Sequence, residues 1–272
     1  MIENIHNKNS STPVSKNLMA TELDIFFTAL MFFTRLPVPK NIDHGQNMLQ
    51  KSARYFPWVG LVVGGISAAT FYAFQFVFSI NISLLFSMAA GILITGAFHE
   101  DGFADMCDAF GGGWTKDKIL LIMKDSRLGT YGVIGVILIL SFKFLLLGEL
   151  FSASSNMIQF FSLIIAAHSS SRFAAVTIMQ QYNYVTETDG SKSKPLANRK
   201  LFLHEIIIAV VGTLLPFIFL PYTILLTLIP IAVARIYLGY YFNKWIGGYT
   251  GDCLGATQQV CEVVFYASTI LI

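Results

Sequence analysis

Long apolar runs recur along this chain of 272 residues, and they constrain its fold more than any other feature. About seven stretches near twenty residues long carry few or no charges, which is the length that an α-helix needs to cross about 30 Å of hydrocarbon. With 54% hydrophobic and only 12% charged residues, the chain is far more apolar than a soluble domain. We therefore predict an all-α, polytopic integral membrane bundle of about seven spans, over residues 55–78, 82–98, 131–150, 157–179, 203–220, 222–242 and 253–272.

The loops between these spans alternate in charge. The Lys and Arg residues that lie between predicted spans all fall in the connections 35–54, 99–130, 180–202 and 243–252, whereas the connections near residues 81, 154 and 221 carry none. Cytoplasmic loops of membrane proteins are enriched in Lys and Arg. The pattern predicts that the charged loops and the N-terminus face the cytoplasm and that the C-terminus faces outward.

The N-terminal region differs from the spans. The apolar segment 23–33 is too short to span and is followed by two prolines, so we expect a short interfacial or re-entrant helix. We expect residues 1–22 to be a polar extension without a removable signal peptide and residues 23–272 to be a single membrane-embedded catalytic domain. Residues 187–200 are predicted to be flexible.

The composition disfavours a nucleic-acid partner and a paired-cysteine site. The formal net charge is +2, and no long basic run is interleaved with aromatics, so nucleic acid is not an expected partner. The lipid bilayer is an expected partner. Cys107, Cys253 and Cys261 form no CxxC pair and are predicted to be free thiols.

The most informative segment is acidic and follows the second predicted span. If residues 99–113 are helical, Asp101, Asp105 and Asp108 are spaced i, i+4 and i+7, so their carboxylates lie on one face. Three like charges on one stripe call for a counter-charge, and Mg²⁺ takes oxygen ligands from carboxylates, water and phosphates. The alternative is a solvated acidic loop. We predict a metal site.

Cations follow this segment. Lys124 and Arg127 precede the third span and could clamp phosphate oxygens, although juxtamembrane cations alone more often only set topology.

Charged residues within spans are costly and suggest function. His168 and Arg172 are one turn apart in the cytoplasmic half of the fourth span. Together with Arg235 and Glu262 they are predicted to line a polar cavity on the side that holds the aspartates. His168 could instead be a core histidine bonded to a carbonyl. No role is assigned to Lys143 or Glu149.

The start of the last span carries a further polar group. Asp252 could be a simple N-terminal cap, but Gln258 and Glu262, spaced i and i+4, extend a polar stripe into the membrane that a cap does not require. We favour a second ligand or substrate contact here.

These motifs together resemble the cobalamin synthase family, the adenosylcobinamide-GDP ribazoletransferases. The matching pieces run in the family's order and are FTRLP at 33–37, RYFPWVG at 54–60, TGAFHEDGFADMCDA at 95–109, KDSRLGTYG at 124–132, SR at 171–172 and GDCLGA at 251–256. Met106 and Cys107 stand where the family often has other small or polar residues, and the first sixteen or so residues look like an addition. Neither departure touches the aspartates.

The resemblance implies a Mg²⁺-dependent transfer at the cytoplasmic face of a bacterial inner membrane. α-Ribazole, or its 5′-phosphate, attacks the cobinamide-bearing phosphate of adenosylcobinamide-GDP, GMP leaves, and adenosylcobalamin or its 5′-phosphate forms. Phosphoryl transfer mainly requires positioning and charge neutralisation. The oligomeric state, including a homo-oligomer, is left open.

The resemblance also implies roles for individual residues. The implied metal ligands are Asp101, Asp105 and Asp108, with Glu100 and Asp252 as further candidates. The implied substrate contacts are Arg35, Arg54, Lys124, Arg127, His168, Arg172, Gln258 and Glu262. The general base stays open between His99, His168 and a metal-bound carboxylate.

Two other functions are alternatives to this one. The Asp-Gly-x-Ala core is similar to that of CDP-alcohol phosphotransferases, but their longer acidic pattern, with a second aspartate pair, is not reproduced here. A transporter would spread polar residues through both halves of the membrane, whereas here they concentrate on one side.

Overall fold

The computed structural model describes residues 18–40, 42, 45–125, 127–185 and 199–272. Most of the predicted N-terminal extension and almost all of the predicted flexible stretch 187–200 lie outside these residues. The described α-helices are α1 (Leu18–Phe33), α2 (Gln46–Ser52), α3 (Phe56–Phe74), α4 (Ile80–Thr95), α5 (Phe98–Gly112), α6 (Lys116–Met123), α7 (Thr130–Ala153), α8 (Met157–Gln181), α9 (Leu203–Leu214), α10 (Leu228–Ile246) and α11 (Gly251–Ile270). Three 3₁₀ turns, Ala53–Tyr55, Leu215–Phe219 and Tyr222–Thr227, join neighbouring helices.

The prediction of an all-helical, multi-pass membrane protein is confirmed. Among the described residues, four segments are long and apolar enough to cross a membrane: Asn47–Phe74, Thr130–Ala153, Met157–Gln181 and Tyr222–Ile246. The pair α4 and α5 would make a fifth, although it bends by 87°.

The two other predicted spans are helical but do not meet this test. The helix beginning at Leu203 is shorter because it tightens into a 3₁₀ turn at Leu215, next to Pro216. Helix α11 is long enough but carries buried polar side chains such as Gln258, Gln259 and Glu262, which lower its apolar character.

Helix α8 lies at the centre of the bundle. In the most apolar stretch of α8, 72% is buried inside the protein. The corresponding share for α7 is 22%, so α7 presents most of its surface to lipid. Helix α8 packs on α3 and α11, and α11 also packs on α5 and α7. The contact with α3 is close: a Cβ on Gly60 would lie 2.5 Å from the carbonyl oxygen of His168. Small residues at such crossings let membrane helices approach.

The chain turns sharply between α4 and α5. Gly96 and Ala97 have φ values of +67° and +59°, so two successive residues adopt the left-handed conformation that ends α4. Helix α5 carries four acidic residues, a composition that a bilayer interior does not tolerate. We therefore treat α4 as the membrane segment and α5 as turned away from it, which holds the acidic motif at the end of the bundle.

Candidate active site

Helix α5 presents the predicted acidic face to the N-terminus of α11. A Cβ on Gly102 would lie 3.0 Å from the Cα of Asp252, and a Cβ on Gly255 would lie 3.2 Å from the carbonyl oxygen of His99. These two glycines let the backbones of α5 and α11 touch. Asp252, far away in sequence, thereby joins the face of α5. We call Asp101, Asp105, Asp108 and Asp252 the acidic cluster.

The carboxylates of the acidic cluster repel one another. Partial burial and the neighbouring charges of Asp252, Asp101 and Asp108 raise the pKa of Asp105 to about 7. Burial, together with the charge of Asp101, raises the pKa of Asp252 to about 6. None of the four carboxylates forms a salt bridge with another described residue. The arrangement therefore favours binding of a cation.

Asp108 has a second task within the cluster. One of its carboxylate oxygens accepts the backbone N–H of Gly129 at 2.7 Å, and the other accepts that of Gly132 at 2.8 Å. A Cβ on either glycine would lie 2.4 Å from an Asp108 oxygen. Asp108 thus holds the N-terminus of α7, where the helix dipole favours negative charge. In the sequence, this contact is indicated only by Gly129 and Gly132 of the 124–132 motif.

The donor chemistry of the cluster fits Mg²⁺, although it does not form a closed cage. Among the described residues, no three His, Cys, Asp or Glu side chains converge as a complete ligand set. Mg²⁺ does not require one, because it usually binds one or two carboxylates and completes its shell with water and substrate phosphates. Asp101, exposed, and Asp105 and Asp252, half-buried, are placed to supply such ligands.

Glu100 faces away from the acidic cluster. One of its oxygens accepts a hydrogen bond of 2.8 Å from the side-chain amide of Gln259, and the other is buried and has no partner in the described part of the chain. Glu100 lies instead on a partly open cavity between the helices, which we call the charged cavity; its volume of about 480 Å³ includes space that is open to solvent. His99, Lys143, His168, Arg172, Gln258 and Glu262 also line it.

Glu262 is the most heavily engaged group of the charged cavity. Its carboxylate lies 3.1 Å from the Nζ of Lys143 and accepts a 2.5 Å hydrogen bond from Gln258. Tyr266 donates to it at 3.4 Å, and the Nε2 of His168 lies 3.8 Å away. Lys143, to which the sequence assigned no role, is therefore the counter-charge of Glu262.

Arg172 is buried in the same cavity but has no such partner. One terminal nitrogen donates to the carbonyl oxygen of His168 at 2.9 Å and lies 3.2 Å from its Nδ1. Its Nε is buried without a hydrogen-bond partner, and no carboxylate of a described residue lies within salt-bridge distance. A buried guanidinium in this state can still bind an anion.

Arg54 lies in a different network. Its guanidinium contacts Glu205 at 2.9 Å and Glu22 at 3.0 Å, and Arg199 also pairs with Glu205 at 2.6 Å. Both terminal nitrogens of Arg54 thus join the 3₁₀ turn Ala53–Tyr55 to α1 and α9, so the structure does not bring this predicted substrate contact to the acidic cluster.

The remaining cations lie nearer the surface. The guanidinium of Arg35 packs beside Gly96 at the α4–α5 bend. Arg127 is exposed and forms a bidentate pair with Asp125, whose pKa these hydrogen bonds lower to about 2. Lys124 is also exposed, close in sequence to the Gly129 that reaches Asp108.

Arg235 is not part of the charged cavity, contrary to the prediction. Its side chain bonds Thr177 and Gln181 in a lateral groove between α8, α9 and α10. A position on a span gives the depth of a residue but not the neighbour that its side chain faces.

Comparison with known proteins identifies the family. Residues 25–270 match the family model described as cobalamin-5-phosphate synthase. The chain belongs to this family. A relative from Shewanella frigidimarina, named adenosylcobinamide-GDP ribazoletransferase, is 44% identical over 246 residues, covering 90% of this chain and 93% of the relative. No solved structure matches the chain.

Other members of the cobalamin-5-phosphate synthase family show similar coverage. A relative of the same name from Shewanella sp. (strain W3-18-1) is 42% identical, covering 92% of this chain and 95% of its own. One from Leptospira interrogans, also so named, is 42% identical, covering 92% of this chain and 96% of its own. The resemblance predicted from the motifs is thereby confirmed.

Proposed function

We propose that this protein is an adenosylcobinamide-GDP ribazoletransferase, an integral membrane enzyme of cobalamin assembly. The observation that carries the proposal is the match, over nine-tenths of the chain and of each relative, to proteins of that name. The acidic cluster gives the proposal a chemical centre. Neither a CDP-alcohol phosphotransferase nor a transporter gains support from these relatives.

In the proposed reaction an oxygen of α-ribazole, or of its 5′-phosphate, attacks the phosphorus that bears cobinamide. A new P–O bond forms, the bond to the bridging oxygen of the diphosphate breaks, and GMP leaves with that oxygen. Any proton on the attacking oxygen passes to a base. His99 and His168, which line the charged cavity, and a carboxylate of the acidic cluster are the candidates.

The chain's own residues supply positioning and charge. Asp101, Asp105 and Asp252 would hold Mg²⁺, which neutralises charge on the diphosphate when bound. Arg172 is buried and lacks a carboxylate partner among the described residues, so it supplies a dry contact for a phosphate oxygen. Lys124, Arg127 and Arg35 supply exposed positive charge at the same end of the bundle.

The site lies on the cytoplasmic face of a bacterial inner membrane in this proposal. Support comes from the alternate loops that carry most of the Lys and Arg residues, because such loops are retained on the cytoplasmic side. Asp101, Asp105 and Asp108 lie in one of these loops, directly after α4, and Asp252 lies at the end of another.

Purified protein in detergent or nanodiscs tests the proposed reaction. Adenosylcobinamide-GDP and α-ribazole are supplied with Mg²⁺ or with chelator, and the corrinoid product and GMP are quantified together. We expect equal amounts of both products, and only with Mg²⁺. Release of GMP without a ribazole-containing corrinoid, or full activity in chelator, would count against the reaction or against its metal dependence, respectively.

A further inference from the structure

A second cavity lies between α1, α3, α5, α8 and α11, with a volume of about 450 Å³ that includes its opening. We call it the aromatic cavity. Most of its wall is apolar and aromatic, formed by Phe32, Phe33, Phe56, Phe98, Met179 and Tyr249. The ring centroid of Phe98 lies 5.9 Å from those of both Phe32 and Phe33, in edge-to-face arrangements. Such a wall offers ring faces and edges to an aromatic ligand.

Polar groups occupy one side of the aromatic cavity. His99, Arg172 and Gln258 line it and also line the charged cavity, so they form the wall between the two. The Nε of Arg172 is buried and has no hydrogen-bond partner among the described residues. A ligand here would meet apolar rings on most sides and hydrogen-bond donors on one.

The aromatic cavity adjoins the acidic cluster. Gly251 and Gly255, which flank Asp252 on α11, are part of its lining. A ligand seated among the phenylalanines can therefore extend past the start of α11 towards Asp252 and Asp105. Its apolar end and its reacting end would occupy different environments, separated by less than one helical turn of α11.

We propose that the aromatic cavity binds the dimethylbenzimidazole ring of ribazole and directs its ribose towards the acidic cluster. This inference rests on the proposed function. The enclosed free space of the cavity is only about 30 Å³, so the side chains that line it must move apart to admit a ligand, and a flat ring requires the least movement. Benzimidazole has one free ring nitrogen and an otherwise apolar edge, which suits a wall with few polar groups.

The other ring systems of the reaction fit less well. Guanine carries donors and acceptors around its edge, and each that is buried without a partner costs affinity. Among the described residues, the polar side chains that line this cavity are His99, Arg172 and Gln258, together with the hydroxyl group of Tyr249. A corrin ring with its side chains is larger than the cavity. The guanosine and corrin parts of the other substrate are therefore assigned elsewhere.

Equilibrium binding without any corrinoid tests the assignment independently of turnover. Purified protein is titrated with α-ribazole, with the same riboside lacking the two ring methyl groups, and with guanosine. Burial of each methyl group strengthens binding, so we expect the unmethylated riboside to bind about tenfold more weakly. We expect guanosine not to compete with α-ribazole.

A matched pair of variants locates the site. Ala175 lines the aromatic cavity, so Ala175→Leu should weaken α-ribazole binding at least tenfold and weaken the smaller, unmethylated riboside less. Ala232 lines the lateral groove instead, and Ala232→Leu should leave both affinities unchanged. If Ala175→Leu does not fold, Met179→Ala enlarges the same wall and should reduce the preference for the methylated ring.

The outcomes separate this inference from the proposed function. Unaltered α-ribazole binding in a folded Ala175→Leu protein, or equal competition by guanosine, overturns the assignment of the cavity. Selective ribazole binding without any transfer to adenosylcobinamide-GDP would retain the cavity and contradict the proposed reaction.

Discussion

Arg172 and Lys143 are two buried cations of the charged cavity, and their substitution should have opposite consequences. In Arg172→Gln the hydrogen bond to the carbonyl oxygen of His168 is lost, which costs about 1 kcal/mol. This loss is offset because a buried charge without a carboxylate partner among the described residues disappears. We expect the free energy of unfolding to stay within about 1 kcal/mol of the wild-type value.

Lys143→Gln removes the counter-charge of Glu262 instead. Both side chains of this pair are almost fully buried, at 7% and 3% exposure, and their charged atoms are 3.1 Å apart. Breaking a buried pair from one side typically costs about 3 to 5 kcal/mol, because the remaining charge is stranded. Lys143→Gln should therefore melt clearly earlier than the wild type, which makes it the matched control for stability.

The effect of Arg172→Gln should appear in catalysis. If Arg172 holds a phosphate oxygen through two charge-assisted hydrogen bonds of about 1.5 to 3 kcal/mol each, the loss is about 3 to 6 kcal/mol. That corresponds to a fall in kcat/KM of about 10² to 10⁴. The assays are thermal melting in detergent and GMP release kinetics. Early melting of Arg172→Gln with normal kcat/KM at low temperature would refute the assignment.

Three further outcomes are expected. Gly132→Ala places a Cβ 2.4 Å from a carboxylate oxygen of Asp108 and should reduce activity at least tenfold, whereas Gly65→Ala, with open space around it, should not. An impermeant thiol reagent applied to intact cells should label Ser155→Cys, after α7, but not Lys116→Cys, at the start of α6; the reverse would invert the proposed topology. Arg54→Met should remove the cation that joins Glu22 to Glu205 and lower the melting temperature, although Glu205 keeps Arg199, while kcat/KM of the folded fraction stays near wild type.

The acidic face of α5 could be predicted because helical spacing is a local property. Asp101, Asp105 and Asp108 are separated by four and three residues, and helix geometry alone places them together. The role of Asp108 at the start of α7 depends on a contact with Gly129 and Gly132, more than twenty residues later. Such a contact becomes visible only when the chain is folded.

Partners across the bundle were the least predictable part of the site. The sequence placed Glu262 and Arg172 in one polar cavity and assigned no role to Lys143, but the structure pairs Glu262 with Lys143 on α7. All three residues were recognisable as charges within apolar spans. Which two of them meet depends on the rotation of α7, α8 and α11 about their axes, and hydropathy does not determine that rotation.

The bend after α4 and the shorter helix at Leu203 have similar explanations. Ala97 adopts a left-handed conformation that alanine rarely takes, so its sequence gives no signal for the 87° turn. Pro216 does give a signal, since proline disrupts an α-helix, and the 3₁₀ turn begins at Leu215, one residue before it.

The central claim is that the acidic cluster is the metal-dependent reaction centre, and the rate of GMP release by Asp105→Asn as Mg²⁺ is increased tests it most directly. Loss of one carboxylate ligand removes several kcal/mol of transition-state stabilisation, and each 1.36 kcal/mol corresponds to tenfold in rate. We predict a fall of about 10³ or more that saturating Mg²⁺ does not restore, in a protein that melts at or above the wild-type temperature. A rate near that of the wild type at saturating Mg²⁺ would contradict the claim.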